Sequence, residues 1–412
     1  MLVPKLRFKR EDGSEYPTWK SGTIGDYYIF KNGLNKEKSA FGQGTPIINY
    51  TDVFKNRLLT SKIIKGRVTL NDKEIENHSA VYGDVFFTRT SETLDEVGFC
   101  GALIEHIQDC VFSGFLLRGR PKDDTSISPN FAGYYFMTKP IREEIISKSS
   151  ITTRALTNGR NLSAVNVKIP CLEEQQKIAD FLSTIDEVIA QSEAEVQNLE
   201  QQKKAAMQKI FSQEVRFKRE DGTEYPKWEN KPLSEICDVR DGTHDSPKYV
   251  GEGFPLVTSK NLTKYGTIDF TNVNFIKEDD YNMINVRSKV DIGDILFGMI
   301  GTIGKPVLVN SVGFAIKNVA LLKPLYINNA YLFYYLQSDD VEKAFRYKQT
   351  GNTQKFIALS TIRQIKIVVP YIEEQQKIAD FLSTYDEAIH YAKQELDKWK
   401  ELKKGLLQQM FV

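Results

Sequence analysis

Hydrophobic residues follow two different patterns along the 412 residues of this chain. In residues 171–211 and 371–412, apolar side chains recur alternately four and three residues apart, starting at Ile178 and Ile378. This 3.5-residue period predicts two coiled-coil helices that begin near Pro170 and Pro370. The predicted seam consists of Leu182, Ile185, Ile189, Val196, Leu199 and Ile210 in the first helix, and of Leu382, Tyr385, Ile389, Leu396, Trp399, Leu406 and Met410 in the second.

Each predicted helix needs a partner for its apolar seam. A helix of about 40 residues is roughly 60 Å long, and burying each large aliphatic side chain is worth about 1.5–3 kcal/mol. We therefore expect the two seams to bury each other within one molecule. The period alone permits parallel or antiparallel pairing, and also the alternative in which each helix packs only on its own domain. Lys203 and Lys403 occupy equivalent seam positions, where they either set the register or lie at a frayed end.

The other residues carry short β-branched and aromatic runs between Gly, Asn and Asp, a pattern typical of strands joined by tight turns. The clearest runs are TPIINY, GDVFFTRT, FPLVTS, GDILFGMI and IKIVVP, and helical stretches follow late in each half, from Phe131 and from Asn329. We predict an α+β fold in which two similar α+β domains are separated by the long helices. The predicted divisions are domain 1 at residues 1–169, the first helix at 170–212, domain 2 at 213–369 and the second helix at 370–412.

The chain is a tandem duplication. EEQQKIADFLST occurs at residues 173–184 and again, unchanged, at 373–384. RFKREDGSEYPTW at 7–19 returns as RFKREDGTEYPKW at 216–228, and in weaker similarity Asn32 and Gly33 fall on Asp241 and Gly242. The residues between these repeats differ greatly in the two halves. This contrast predicts a shared scaffold that carries two different recognition surfaces.

The net charge of +1 hides an uneven distribution. The two helical segments carry eight acidic residues against four lysines and eight against six, hence −4 and −2, which leaves +7 for the other residues. A basic globular part permits a polyanionic partner without requiring one. The chain begins without a signal peptide and has no apolar run of about 20 residues, so we expect a cytoplasmic protein with no membrane contact.

The sequence carries no recognisable catalytic or metal-binding motif. The four cysteines form no CxxC pair and the four histidines are scattered, so neither a metal site nor a disulfide is predicted. No two prolines are adjacent, which excludes the NPPY or DPPY motif of amino-methyltransferases. GMIGTIGKP at 298–306 superficially resembles a phosphate-binding loop, but its glycine spacing is wrong and Pro306 replaces the hydroxyl residue. We therefore predict a chain without catalytic residues or a cofactor of its own.

Polar loops suited to DNA are better supported. Arg and Lys suit guanine edges and phosphates, and Asn and Gln can pair with adenine. The predicted contacts in the first half are Lys31, Asn32, Asn35, Lys36, Asn49, Tyr50, Thr88, Arg89, Arg154, Asn158 and Arg160. Those in the second half are Arg240, Thr243, His244, Lys248, Tyr249, Thr258, Ser259, Lys260, Asn261, Thr302, Lys305, Asn352, Thr353, Gln354 and Lys355.

Several of these segments together resemble the specificity subunit of type I restriction-modification enzymes. They are the two EEQQKIADFLST helices, DGTHDSPKY followed by GFPLVTSKNL, GDILFGMIGTIGK, and TGNTQKFIALSTIRQIKIVVP. The resemblance implies two target-recognition domains that each read half of a split, asymmetric DNA sequence, and two antiparallel helices that hold them apart. It also implies two methyltransferase and two restriction subunits as partners, which bind S-adenosylmethionine, ATP and magnesium.

The first half departs from the family pattern. FKNGLNKEK replaces the histidine-bearing loop, and FTRTSET replaces the glycine-rich one. We expect domain 1 to keep the fold and to read different bases. Two other classes of function stay open at this point, namely a stand-alone enzyme that cuts or methylates DNA and a coiled-coil adaptor that never touches DNA.

Overall fold

The computed structural model describes residues 4–123, 125–151, 153–301, 303–348 and 356–411. Two compact units make up the chain. Unit 1 comprises residues 1–193 and 394–412, and unit 2 comprises residues 194–393. Each unit therefore holds one globular domain together with the start of one long helix and the end of the other. Within the described residues, none of the helices combines the length and the apolar character that a membrane span requires.

Within its described residues, domain 1 has thirteen strands and six α-helices. The strands are β1 (Lys20–Thr23), β2 (Tyr28–Asn32), β3 (Phe41–Ile48), β4 (Leu58–Leu59), β5 (Arg67–Val68), β6 (Val85–Thr88), β7 (Thr90–Ser91), β8 (Cys100–Leu103), β9 (Val111–Phe112), β10 (Leu116–Pro121), β11 (Ser150–Ile151), β12 (Ala155–Leu156) and β13 (Asn166–Ile169). The helices are α1 (Ile24–Tyr27), α2 (Tyr50–Lys55), α3 (Asp72–Asn77), α4 (Pro129–Tyr135), α5 (Lys139–Lys148) and α6 (Gly159–Ser163).

The central sheet of domain 1 is covered on both faces. Its strand order is β2-β10-β6-β8-β4, and β10 runs antiparallel to both β2 and β6. Side chains alternate across a strand, so Val85 and Phe87 of β6 join a core with α4 and α5, while Phe86 joins a second core on the opposite face. This double burial explains why GDVFF is continuously apolar rather than alternating. A smaller sheet has the order β5-β3-β9.

After the first long helix, α7 (Leu172–Phe211), domain 2 repeats this plan. Its strands are β14 (Glu229–Pro232), β15 (Cys237–Asp241), β16 (Phe254–Thr258), β17 (Asn274–Ile276), β18 (Ile295–Gly298), β19 (Gly304–Leu308), β20 (Ala315–Lys317), β21 (Val319–Pro324) and β22 (Lys366–Val369). Its helices are α8 (Leu233–Ile236), α9 (Glu278–Ser288), α10 (Asn329–Tyr335), α11 (Asp339–Lys348) and α12 (Leu359–Arg363), and α13 (Ile372–Met410) ends the described chain.

The main sheet of domain 2 has the order β15-β21-β18-β19, and a smaller sheet has the order β17-β16-β20. Each late helical stretch that the sequence predicts is a pair of helices, α4 with α5 and α10 with α11. The break in the first pair falls where Pro140 occupies the first turn of α5, a position that tolerates proline's missing N–H. The fold is thus the predicted α+β class with long helices.

The two long helices pair antiparallel inside each unit. In unit 1, Lys400 Nζ lies 2.7 Å from Glu193 and Lys403 is ion-paired with Asp186. In unit 2, Lys393 Nζ lies 2.6 Å from Glu200, and Lys203 Nζ lies 2.6 Å from Asp386. Since rising numbers on one helix meet falling numbers on the other, parallel pairing is excluded. Lys203 and Lys403 are therefore paired across the helices rather than frayed.

The predicted seam residues divide into two groups by burial. Leu182, Ile185, Val196, Ile210, Leu382, Ile389, Leu396 and Met410 are buried, and Ile189, Leu199, Tyr385, Trp399 and Leu406 are half-buried. Helix ends also enter the domain cores, since Met410 and Phe411 pack with Leu182 and α4 in unit 1. In unit 2, Ile210 and Phe211 pack with Leu382 and α10. The helices thus contact each other and the domains, which combines the two arrangements considered from the sequence.

In each unit, the segment that begins RFKREDG contacts the EEQQKIADFLST segment of the same unit. We call this arrangement the clasp. The clasp of unit 1 joins Arg7 and Trp19 to Glu174, and that of unit 2 joins Arg216 and Trp228 to Glu374. Both Arg–Glu distances are 2.7 Å, and both glutamate side chains are fully buried. Each motif is therefore nearly unchanged between the halves, because in both halves it binds the other motif.

The residue that follows each clasp glutamate ties the helix start to its domain. Gln175 accepts a hydrogen bond from Ser128 N, and Gln375 accepts one from Asn328 N, both at 2.8 Å. Their amide groups donate to the carbonyls of Pro170 and Pro370. The start of each long helix is thus fixed to the start of α4 or α10.

Candidate nucleic-acid interface

The loops predicted from distant parts of the sequence converge in domain 1. Arg89 N donates to Phe115 O, and Thr157 N donates to Arg89 O. Leu34 and Ser113 form a β-bridge, and the hydroxyls of Tyr50 and Ser91 are 3.3 Å apart. The loops after β2, β3, β6, β9 and β12 therefore form one surface. A surface assembled this way offers several independent side chains to one ligand.

Most of the predicted contacts of domain 1 are accessible on that surface. Lys31, Asn32, Asn35, Lys36, Arg154, Asn158 and Arg160 are exposed, and Asn49, Tyr50 and Arg89 are half-buried. Two of the cations have acidic partners, with Lys36 2.6 Å from Glu74 and Arg154 3.2 Å from Glu92. The Arg154 pair is exposed and therefore weak, whereas the side chains of the Lys36 pair are half-buried.

The structure corrects one predicted DNA contact of domain 1, Thr88. Its side chain is fully buried, its hydroxyl donates to Glu96 O, and the hydroxyl oxygen accepts from Phe99 N. Thr88 therefore fixes the loop and presents no group to a ligand. Asn49 and Asn158 are also used internally, since both start helices, α2 and α6, and the side chain of Asn158 accepts from Asn161 N.

The same convergence occurs in domain 2. Asn318 N donates to Thr243 O, and Ser259 Oγ donates to Asn318 O. Met299 N donates to Ser259 Oγ, and Ile357 N donates to Met299 O. The loops after β15, β16, β18 and β20 and the segment before α12 thus lie together.

The loop after β15 is built around a buried carboxylate. His244 Nε2 lies 2.8 Å from Asp241 Oδ2, and His244 Nδ1 lies 2.7 Å from Asn318 Oδ1. Since both ring nitrogens face oxygen acceptors, the imidazolium form satisfies both contacts. The hydrogen bonds to Asn318 and Asp241 accordingly raise the pKa of His244. This loop therefore holds a cationic histidine more readily than water would.

A second cation shares the same carboxylate. Arg287 of α9 is hydrogen-bonded to Asp241 and has a side chain that is 68% exposed. Arg240 donates to the backbone carbonyl of Arg287 at 3.1 Å and pairs with Asp238 at 2.6 Å. Asp241 thus positions two basic side chains, His244 and Arg287. We call Asp241, His244 and Arg287 the cation cluster.

Several other predicted contacts of domain 2 are accessible. His244, Lys248, Tyr249, Lys260 and Lys305 are exposed, and Arg240, Thr243 and Thr258 are half-buried. Thr302, Asn352, Thr353, Gln354 and Lys355 lie outside the described residues.

Ser259 and Asn261 are corrections of the same kind as Thr88. Both are buried, and the hydroxyl of Ser259 is held by Asn318 O and Met299 N. The Asn261 side chain accepts from Thr258 N and donates to the carbonyls of Asp269 and Asn272. These two residues shape the loop, and Lys260 between them is the one that faces outward.

Sequence reasoning missed Arg287, Asn318 and Phe115. Arg287 and Asn318 belong to segments without a polar motif. Asn318 has a left-handed φ of 55°, a conformation that asparagine tolerates. Phe115 is an aromatic side chain that is 60% exposed beside the Arg89 loop. The sequence does show a phenylalanine directly after Ser113 and Gly114, which is a turn-like position where an aromatic side chain can be exposed.

Comparison with known proteins identifies the family to which the chain belongs. The family model for the type I restriction modification DNA specificity domain matches residues 16–201 and again 225–400. The chain belongs to the type I restriction-modification specificity family. Specificity subunits of type I systems are the non-catalytic members of those systems.

Named relatives and solved structures agree with this family. The chain is 26% identical over 294 residues to the type I restriction enzyme MjaVIII specificity subunit of Methanocaldococcus jannaschii, which covers 66% of this chain and 68% of that protein. It is 25% identical over 181 residues to the EcoKI specificity subunit of Escherichia coli, which covers 42% and 38%. The crystal structure of the S subunit from M. genitalium has a TM-score of 0.56 at 18% identity and covers 100% of this chain and 99% of its own. At that identity the match supports the fold alone.

Proposed function

We propose that this specificity subunit reads a split, asymmetric DNA sequence, one half with each domain. One observation carries the proposal. In each domain, loops from distant parts of the sequence converge on one surface, while the side chains on the two surfaces differ. Arginine, lysine, asparagine and exposed aromatic groups there suit base edges and phosphates.

The clasp and the antiparallel helices support the second part of the proposal, in which the long helices fix the spacer between the two half-sites. A helix of 40 residues spans about 60 Å, which bounds the spacer without giving its length. The duplicated helices also suit two copies of one partner. We propose that two methyltransferase and two restriction subunits assemble on the chain, and that S-adenosylmethionine, ATP and magnesium act on those subunits.

Insertions in the helices test the spacer. Four residues inserted after Gln197 add one helical turn, about 6 Å, and should lengthen the unread spacer by about two base pairs at about 3.4 Å each. A second variant inserts seven residues beside both Gln197 and Leu396. Because a whole heptad preserves the seam, its longer helices should also lengthen the spacer. Mapping of methylated adenines by the complex with its methyltransferase subunit gives the spacer. An unchanged spacer in both variants would refute the ruler.

Random DNA duplexes test DNA binding itself. Because phosphate contacts dominate nonspecific affinity, binding should weaken steeply as salt increases. If the complex with the methyltransferase subunit failed to shift duplexes at low salt, the chain would be an assembly adaptor instead.

A further inference from the structure

The basic side chains around the loop after β15 differ in how many of their donors are already used. Both ring nitrogens of His244 are hydrogen-bonded inside the loop. All three guanidinium nitrogens of Arg240 are engaged, since Nε and Nη2 contact Asp238 and Nη1 donates to the carbonyl of Arg287. Neither His244 nor Arg240 therefore has a free edge to offer to a base.

Arg287 differs from both. Within the described residues only its Nη2 is engaged, donating to Asp241 Oδ1, and the side chain is 68% exposed. Asp241 is buried, and its other carboxylate oxygen lies 2.8 Å from His244 Nε2. Because a carboxylate held at both oxygens cannot turn freely, it fixes the guanidinium in one orientation. The Nε and Nη1 donors of Arg287 are thus available and already aimed, which lowers the entropic cost of binding.

The surface of α9 beside Arg287 is apolar. Met283 lies about one helical turn earlier and Val286 directly precedes the arginine, and their side chains are 63% and 87% exposed. Phosphates present only charged oxygens, whereas the major-groove edges of bases present acceptors together with the thymine methyl group. A cation flanked by exposed apolar side chains therefore suits base edges better than the DNA backbone.

Other residues of the same domain suit the phosphates. Lys248, Lys260 and Lys305 are exposed, and none of them forms an ion pair with another described residue. An ammonium group is a compact point charge that binds a phosphate without needing a fixed orientation. The arginine held by Asp241 is thus not required for backbone contacts.

We propose that Arg287 reads a guanine in the half-site of domain 2, and that Asp241 is the positioning residue that aims its guanidinium. This inference rests on the function proposed above. Two free, oriented nitrogens match the O6 and N7 acceptors of guanine, which arginine contacts more often than any other base edge. The helix before β6 in domain 1, α3, contains no arginine. This means of reading guanine therefore belongs to domain 2 alone.

Methylation of unmodified genomic DNA by the complex with the methyltransferase subunit tests the assignment. Sequencing of the methylated sites gives the base preference at every position of both half-sites. Arg287→Gln should reduce the preference for guanine at one position of one half-site at least about tenfold, a change of about 1.4 kcal/mol. The preferences at all other positions should be unchanged. Because the Arg287 side chain is exposed, the variant should fold normally.

Asp241→Asn tests the positioning role. The amide removes the charge that orients Arg287 but keeps an oxygen acceptor, so the same guanine preference should fall by a smaller factor. A purely structural role would weaken every position alike. The matched control is Lys289→Gln, because Lys289 is an exposed cation that pairs with Asp291 instead. It should change no preference by more than about twofold.

The other outcomes separate the inference from the proposed function. If Arg287→Gln kept the guanine, or weakened all sequences equally as the loss of a phosphate contact does, the inference would be overturned. A relaxed position that had preferred another base, or the same relaxation in Lys289→Gln, would also overturn it. Each of these results would leave the proposed function intact. If the unaltered complex selected no split sequence, the proposed function would fail first and the inference with it.

Discussion

Domains 1 and 2 place different chemistry on the same backbone turn. Gly33 and Gly242 occupy equivalent positions, and a Cβ at either would fall 2.1 Å from Ser113 O or 2.3 Å from Ile316 O. The next residues form equivalent bridges, Leu34 with Ser113 and Thr243 with Lys317. Around this shared turn, however, domain 1 presents neutral amides at positions 32 and 35, where domain 2 has Asp241 and His244.

The clasp shows the opposite relation between the halves. There the same residue types make the same contacts, down to indole nitrogens 3.1 Å from Glu174 and 2.8 Å from Glu374. Residues bound by an internal partner of fixed chemistry have little freedom to change. The side chains that face outward on the converging loops differ between the halves, as the proposed reading of two different half-sites requires.

Breaking the clasp should have the largest effect, and an equal one in both halves. Arg7→Met and Arg216→Met each leave a fully buried glutamate without its cation, which costs about 3–5 kcal/mol. Denaturant unfolding of each variant measures this loss. The matched controls, Arg10→Met and Arg219→Met, remove exposed cations that lie 5.4 Å from the rings of Tyr16 and Tyr225, and should cost about 1 kcal/mol or less. A tolerant half would show that the two clasps are not equivalent.

The cation cluster should matter for DNA binding by domain 2 alone. Arg287→Gln removes a cation held by Asp241 and should lower DNA affinity by about 1–3 kcal/mol if it meets a base, or reduce the salt slope by about one if it meets a phosphate. Lys289→Gln is the matched control, since Lys289 is equally exposed and pairs with Asp291 at 3.5 Å instead. Equal losses in both variants would mean that general charge, not the cluster, drives binding.

Features that depend on local sequence pattern could be predicted from the sequence. The heptad period located both long helices to within a few residues, and duplicated motifs located the clasp segments without showing that they meet. The antiparallel pairing of Lys203 with Asp386 depends on chain reversal through domain 2, which no local period encodes. Residue type suggested Thr88, Ser259 and Asn261 as DNA contacts, but their hydrogen bonds are satisfied internally. Arg287 lies 46 residues from Asp241, so only the folded chain brings this pair together.

Titration of His244 should give the smallest effect on stability and DNA affinity. Only domain 2 should show it, because domain 1 has Asn35 at the equivalent position. Hydrogen bonds to Asn318 and Asp241 raise its pKa above the ordinary value of 6.5, against the opposing charge of Arg287. Because the folded pKa exceeds the unfolded one, the histidine's stabilisation is complete below about pH 6.5 and is lost as pH rises through the raised pKa. A protonated ring also favours phosphate, so DNA affinity should fall over the same pH range.

The comparison variant for this titration is His244→Asn, which gives domain 2 the residue of domain 1. The differences in unfolding free energy and in DNA affinity between the unaltered chain and this variant should shrink as pH rises past the histidine pKa. Both differences should be modest, because the His244 side chain is 59% exposed and solvent screens its charge. Asn35→His is the converse variant. It should titrate near the ordinary histidine value, because Gly114 stands where Asn318 would be and Asn32 stands where Asp241 would be, so both partners that raise the pKa of His244 are missing. If this new histidine also showed a raised pKa, the backbone turn and not Asp241 would be the cause of the shift.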